Sequence, residues 1–443
     1  MNGTPLYTSL IEHQKKGLSP FHTPGHKCSG FIKTDLLSLD LTELPDTDTL
    51  YEADGVILQA EKGLAELFGA ERTLISAGGC TLAIQAMLRI ASKRGKKILF
   101  ARNVHRSAVN ACALLGIEPH WVMPSSQSGL FTGRVAPGDI KTALEADPDI
   151  AACYITSPDY YGEITDIAAV AEICHRAGAL LLVDNAHGSH LAFAKQKLHP
   201  IQLGADMSAC SLHKTLPVLT GGAVLNIGNS ALADEGKKAM ALFGSTSPSY
   251  PIMASIDLCR EYMQNGGADE YRALEERVRK IMELAHKREL ITPEGLCDPL
   301  RVCINTSCAG IAEDKQTELF HGFGIEPEFC DGRNAVMICT PFNSERDFER
   351  LESLILSLHG SETADSPVRP GLPQYVMSPR EAMLGDTETV GLDEAVGRIS
   401  ADSSCPCPPG VPVIMPGELI DRETAAILRR TGQSRIDCVS RIV

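Results

Sequence analysis

Nowhere in the 443 residues does an apolar run reach the roughly 18 residues that a membrane-spanning helix requires. The first residues, MNGTPLYTSLIEHQKKGL, lack the apolar centre of a secretory signal, so the expectation is a cytoplasmic protein. Positive charge is in deficit: 41 Lys and Arg stand against 56 Asp and Glu, a formal charge of −15. That sign argues against nucleic acid or an anionic membrane as the main partner and is compatible with a cationic small molecule. Internal repeats and low-complexity tracts are lacking. So are the GxGxxG fingerprint and the P-loop spacing, which leaves a dinucleotide-dependent oxidoreductase little support.

Cysteine is plentiful, but a disulfide framework is not what it suggests. The fifteen cysteines are odd in number and scattered, mostly inside apolar runs, as at Cys112, Cys153, Cys174, Cys210 and Cys339. They read as reduced, small core residues. The one close pair, Cys405 and Cys407, has no second Cys/His pair at zinc spacing to complete a metal site.

What is present is a globular composition, 44% hydrophobic, in a chain long enough for two or three domains. From about 70 to 230, short apolar runs alternate with helical patterns: RTLIS, KILFA, IAACYIT, ALLLVD, DMSACS and GAVLNI. This predicts an α/β protein with a doubly wound, mainly parallel sheet, whose ligands bind outside the carboxyl ends of the strands. Helices with paired charges follow from 255 to 290, broken at Gly266-Gly267. A smaller α/β unit spans 297–360, and a polar Pro/Gly-rich linker runs from 360 to 374. The domains expected are 1–285, 286–364 and 365–443.

Polar residues at the strand ends supply the chemistry. In ISAGGCTLA, a glycine turn opens a helix, and the N–H groups of Gly79, Cys80 and Thr81 with the Thr81 hydroxyl form an anion cup. Asp184 ends a very apolar strand, where a carboxylate is costly to bury without a cation. His187 and His190 in HGSH are two metal-ligand types without a third. Lys214 in SLHKT ends the next strand, where loss of water around its amine favours a Schiff-base nucleophile. A phosphate cup, an aspartate and a lysine together are the fixed contacts of pyridoxal 5′-phosphate. His105 is the aromatic platform for its ring, or the cap of the helix it precedes.

The chain resembles the bacterial ornithine/lysine/arginine decarboxylases. The resemblance rests on TPGHK (23–27), LTELPDTDTL (41–50), HRS (105–107), DNAHGSHLAF (184–193), SLHKTL (211–216), STSPSYPIMASID (245–257) and PPGVPVIMPGE (408–418). It implies the fold-type I architecture of pyridoxal-phosphate enzymes, the aspartate-aminotransferase fold: a mainly parallel seven-stranded sheet in a large domain, a small α/β domain and a C-terminal segment. The length resembles the short form of that family.

The implied activity is decarboxylation of arginine, lysine or ornithine to an amine feeding polyamine biosynthesis. Lys214 is then the covalent anchor, Asp184 the partner of the pyridine nitrogen, His105 the stacking ring, and His187 a neighbour of the phenolic oxygen. Cys80, Thr81, Ser211 and His213 surround the phosphate, and Lys214 or His213 returns the proton. Ser247 reaches the neighbouring subunit's phosphate, which implies an obligate homodimer. Glu418 takes the substrate's distal amine. The chain departs from the family's usual residues at Asn185, Arg106, Cys80 and Cys407. An aminotransferase or a lyase on another amino acid uses the same Lys/Asp pair, with Arg301 or Arg333 clamping the α-carboxylate.

Overall fold

The apolar runs between 72 and 227 form one seven-stranded sheet in the computed structural model, which describes residues 4–125, 133–290, 293–360, 371–404 and 410–440. The strands are β1 Arg72–Ser76, β2 Lys97–Ala101, β3 Glu118–Val122, β4 Ala152–Thr156, β5 Leu180–Asp184, β6 Met207–Cys210 and β7 Ala223–Ile227. Their spatial order is β1-β7-β6-β5-β4-β2-β3. The pairs from β3 to β6 are parallel, while β7 runs antiparallel to both β6 and β1. All five residues of β5 are buried, as expected for a central strand covered on both faces. β3, with sequence EPHWV, escapes the apolar-run reading because Pro119 and His120 interrupt it. Its place at the sheet edge tolerates a proline that cannot donate to a second neighbour.

Successive strand residues feed opposite faces, as the two-residue period requires. Phe100, Tyr154 and Leu182 pack with Leu82, Met87 and Ile90 of helix α1 (Gly79–Ala91). Leu99, Ile155 and Leu181 pack on the other face with Ile140, Val170 and Cys174. The register sets Thr156 opposite Asp184 and Asp184 opposite Ala209. The loops that leave β4, β5 and β6 are therefore side by side.

A second, antiparallel sheet comprises β8 Arg301–Asn305, β9 Phe329–Cys330 and β10 Asn334–Ile338, in the order β9-β10-β8. Helix Ala268–Lys287 follows a π-turn at Met263–Gly267, where Gly266 has φ +113. The expected break at the glycine pair is therefore a kink between two helices. One apolar cluster joins this sheet to the rest, running from Phe21, Leu50 and Val218 to Val302 and Leu351. Beyond the linker, β11 Thr387–Gly391 and β12 Arg435–Val439 pair antiparallel and share a separate core with helix Arg422–Arg430. This unit docks on α2 (Arg106–Leu115), where Arg380 Nη1 donates to the carbonyls of Ala113 and Leu114 at 3.2 and 2.9 Å.

The thirteen described cysteines are free thiols, most of them buried; Cys405 and Cys407 lie outside the described residues. Among the described residues, no helix is long and apolar enough to cross a membrane.

Candidate active site

The loops after β2, β4, β5 and β6, with the start of α1, enclose a cavity of about 250 Å3. Gly79, Cys80, Thr81, His105, Asp184, His187, Ser211, His213 and Lys214 all line it. The residues singled out in the sequence for a single cofactor thus meet in space, although 135 positions separate the first from the last.

Lys214 lies on the short helix Leu212–Thr215 directly after β6, and its Nζ is 2.9 Å from His187 Nε2. Burial holds the His187 imidazole well below its ordinary pKa, with the nearby Lys214 charge adding to the effect. His187 is accordingly neutral, and its Nε2 accepts from the lysine. Its Nδ1 is buried and has no hydrogen-bond partner. Asn103 Oδ1 and Thr156 Oγ1, both on the cavity wall, are likewise unpartnered. Buried polar atoms of this kind are rare in a finished interior and mark places where a ligand supplies the partner.

Asp184 is buried, and its carboxylate accepts from Tyr154 Oη at 3.1 Å and from the Ala186 N–H at 3.1 Å. Burial raises its pKa, against the lowering pull of the Ala186 N–H and of Lys214. No cation pairs with it among the described residues. A protonated ring nitrogen is the kind of partner such a carboxylate lacks.

His105 caps α2 and also faces the cavity. Its Nδ1 accepts from the Ser107 N–H at 3.2 Å and lies 2.8 Å from Ser107 Oγ, capping α2, while its ring lines the cavity. Burial, with Lys214 and Arg106 nearby, brings its pKa down to about 4. Gly410, with φ +72, presses against the ring edge, where an added Cβ would sit 2.8 Å from Nε2.

The anion cup differs from expectation at one point. The Gly79 N–H donates to the Gly221 carbonyl at 2.8 Å and is not available to a ligand. Cys80 and Thr81 remain in the first turn of a thirteen-residue helix, where N–H groups lack intrahelical partners and anions are favoured. His213 Nδ1 is 3.2 Å from both Ser211 Oγ and the Gly222 carbonyl, so it carries the proton that the carbonyl accepts. Burial brings His213 down to about 4. The site therefore fits pyridoxal phosphate in donor set and charge: an amine, an unpaired buried carboxylate, and a helix N-terminus for an anion.

Two predicted site residues are elsewhere. Glu418 is buried but away from the cavity wall: its Oε2 accepts from Arg102 Nη2 at 2.8 Å and from the Met415 N–H at 2.8 Å. Arg102 also stacks over Trp121, 5.1 Å from the ring centre. In this chain Glu418 Oε2 is thus held by an internal cation. Ser247 is exposed and does not line this chain's own cavity. The two histidines of HGSH turn to different partners, His187 to Lys214 and His190 to Asp298 Oδ1 at 2.7 Å. Asn185 is buried and donates to the Ser157 carbonyl at 2.7 Å.

Sequence reasoning passed over Asn103, Thr156, Asp159 and Tyr160, which also line the cavity. The signal was available, since each follows or ends an apolar strand as Asp184 and Lys214 do.

Neutral buried histidines make stability depend on pH. His105 and His213 titrate near 4 and His199 near 3, against an ordinary 6.5. Below pH 6.5 the unfolded chain protonates them and the folded chain does not, so their contribution is complete above 6.5 and is lost as pH falls toward 4. Asp159 opposes this, since burial pushes it up to about 7 and only the folded chain takes its proton there. The three histidines outnumber it, and His187 adds to them, so these groups together make stability fall as pH drops from 6.5 toward 5. Denaturant midpoints measured from pH 7 to 5 should fall accordingly; a flat profile would contradict the neutral assignments.

Residues 4–342 match the family described as "Orn/Lys/Arg decarboxylase, major domain", and residues 362–430 match "Orn/Lys/Arg decarboxylase, C-terminal domain". Arginine decarboxylase of Bacillus subtilis is 32% identical over 460 residues, covering 96% of this chain and 93% of the relative. The constitutive lysine decarboxylase of Escherichia coli is 22% identical, covering 96% and 77%. Among solved structures, lysine decarboxylase A from Pseudomonas aeruginosa superposes with a TM-score of 0.77 at 18% identity, covering 98% of this chain and 80% of that one. The fold is the expected fold-type I architecture.

Proposed function

The chain belongs to the Orn/Lys/Arg decarboxylase family, and on that premise we propose that it binds pyridoxal 5′-phosphate around Lys214 and converts arginine to agmatine and CO2. It is a decarboxylase of basic amino acids. The observation that carries the cofactor reading is the meeting of Lys214, the cation-free carboxylate of Asp184 and the N-terminus of α1 in one cavity. Arginine is favoured because relatives from Bacillus subtilis, Bacillus anthracis and Bacillus cereus at 30–32% identity are named arginine decarboxylases, whereas lysine decarboxylases match at 20–22%.

When bound, the cofactor supplies an electron sink for the electron pair left on the α-carbon as CO2 departs. The chain does the rest. Asp184 keeps a proton on the ring nitrogen, and its burial makes that pairing strong. Cys80 and Thr81 offer their N–H groups to the phosphate, and neutral His105 gives the ring an aromatic surface. Lys214 Nζ is the anchoring amine and the proton carrier to the α-carbon, with His187 Nε2 accepting from it. Val411, Ile84 and Tyr160 close the wall and limit water. As the family resemblance implies, exposed Ser247 would reach a second copy's phosphate site in a homodimer.

The test is to incubate holoenzyme with arginine, lysine and ornithine separately and identify products by mass spectrometry. Agmatine is expected; cadaverine or putrescine alone would reassign the substrate. A keto acid without amine would favour an aminotransferase. Removing one member of a buried charge pair costs about 3–5 kcal/mol. Asp184→Ala should therefore weaken cofactor retention by roughly 10²-fold or more, read by equilibrium dialysis.

A further inference from the structure

With Glu418 held by Arg102, the distal cation of a basic amino acid needs another acceptor, and the cavity wall offers one. Asp159 stands in SPDYYG, just beyond β4, and Asn103 just beyond β2, its neighbour in the sheet. Both are buried and both line the cavity. The two side chains meet at one glycine: Asn103 Nδ2 donates to the Gly133 carbonyl at 3.0 Å, and the Gly133 N–H donates to Asp159 Oδ2 at 2.9 Å. The first bond fixes the amide, leaving Asn103 Oδ1 as a buried acceptor without a partner among the described residues.

Resting on the decarboxylase reading above, we propose that Asp159 and Asn103 form the receptor for the substrate's distal cationic group. Asp159 Oδ1 already accepts from the N–H groups of Tyr161 and Glu163, at 3.0 and 2.8 Å. Among the described residues, Oδ2 accepts only from Gly133 and has one position left. With the two free positions on Asn103 Oδ1, the pair accepts up to about three N–H groups. That suits the planar, many-donor edge of a guanidinium better than a compact ammonium.

The charge balance points the same way. Arg134 Nε lies 3.4 Å from Glu163 Oε2, so Glu163 has its cation, and no cation pairs with Asp159 among the described residues. Burial and the Glu163 charge together push Asp159 up to about 7. A bound cation relieves that penalty.

The experiment compares wild type, Asp159→Asn and Asn103→Ala as holoenzymes, with thermal midpoints checking that each folds. Agmatine binding is measured by calorimetry, alongside KM and kcat for arginine. Each variant should weaken agmatine binding by about 10- to 100-fold and raise KM similarly, while kcat changes little. Citrulline, the neutral isostere of arginine, should gain little from the wild-type residues. Asn103→Ala leaves the Asp159 turn intact, so it decides the matter if Asp159→Asn misfolds. Agmatine binding equal in wild type and variants, or absent from wild type, overturns the receptor. Wild type that releases no amine from any basic amino acid overturns the decarboxylase reading instead, and the agmatine titration still decides this one.

Discussion

Replacing Lys214 with alanine should lower amine formation from arginine by at least about 10³-fold and leave the fold in place. Among the described residues, Lys214 carries the only ammonium on the cavity wall. Its helix is held by the backbone: the Gly25 N–H donates to the His213 carbonyl at 2.8 Å, and the Leu216 N–H to the Leu212 carbonyl at 2.8 Å. Truncation therefore removes a reactive atom and not a support. It also strips His187 Nε2 of its partner, so the local loss is not purely chemical. Lys214→Arg separates the two effects, because a guanidinium keeps a charge and a donor but is no amine nucleophile. Both variants should be inactive with thermal midpoints near wild type. Activity surviving in Lys214→Arg would mean that charge, not amine chemistry, is what the position supplies.

The second large effect concerns stability. Glu418→Ala should destabilise the protein by about 3–5 kcal/mol, because it leaves the Arg102 guanidinium buried without its carboxylate. Arg102 is 8% exposed and Glu418 1%, so little water is at hand to compensate. The Met415 N–H would lose its acceptor as well. The double change Arg102→Met with Glu418→Met should recover most of the loss, since a buried ion pair is often replaced by apolar groups without net cost. Denaturant unfolding of the three variants measures this directly. A Glu418→Ala protein of normal stability but weakened arginine binding would restore Glu418 as the substrate's partner.

The pattern of what the residues disclosed has a physical basis. ALLLVD and DMSACS are legible as strands because a doubly covered strand is apolar throughout, and Asp184 and Lys214 stand out where those runs stop. β3 is not legible in the same way, since an edge strand admits Pro119 and His120. The Arg102–Glu418 pair joins residues 316 positions apart, and neither end carries a local mark of the other. The Gly79–Gly221 bond that removes one donor from the anion cup is hidden for the same reason. Asp159 was readable by the rule that found Asp184, yet SPDYYG looks like an ordinary turn. Its three backbone N–H bonds make it a turn residue as well as a cavity residue. The contact proposed for Ser247 meets a different limit: one chain cannot display a contact that would need two.

Gly410 and Val411 come to rest beside His105, a residue made three hundred positions earlier. During synthesis, then, the sheet, the lysine and the aspartate are all in hand long before the last wall arrives. A nascent chain stopped ahead of Val411 owns the reactive groups but leaves them open to water and to stray carbonyl compounds. The wall that Val411 completes is therefore added about two hundred residues after the lysine it shelters.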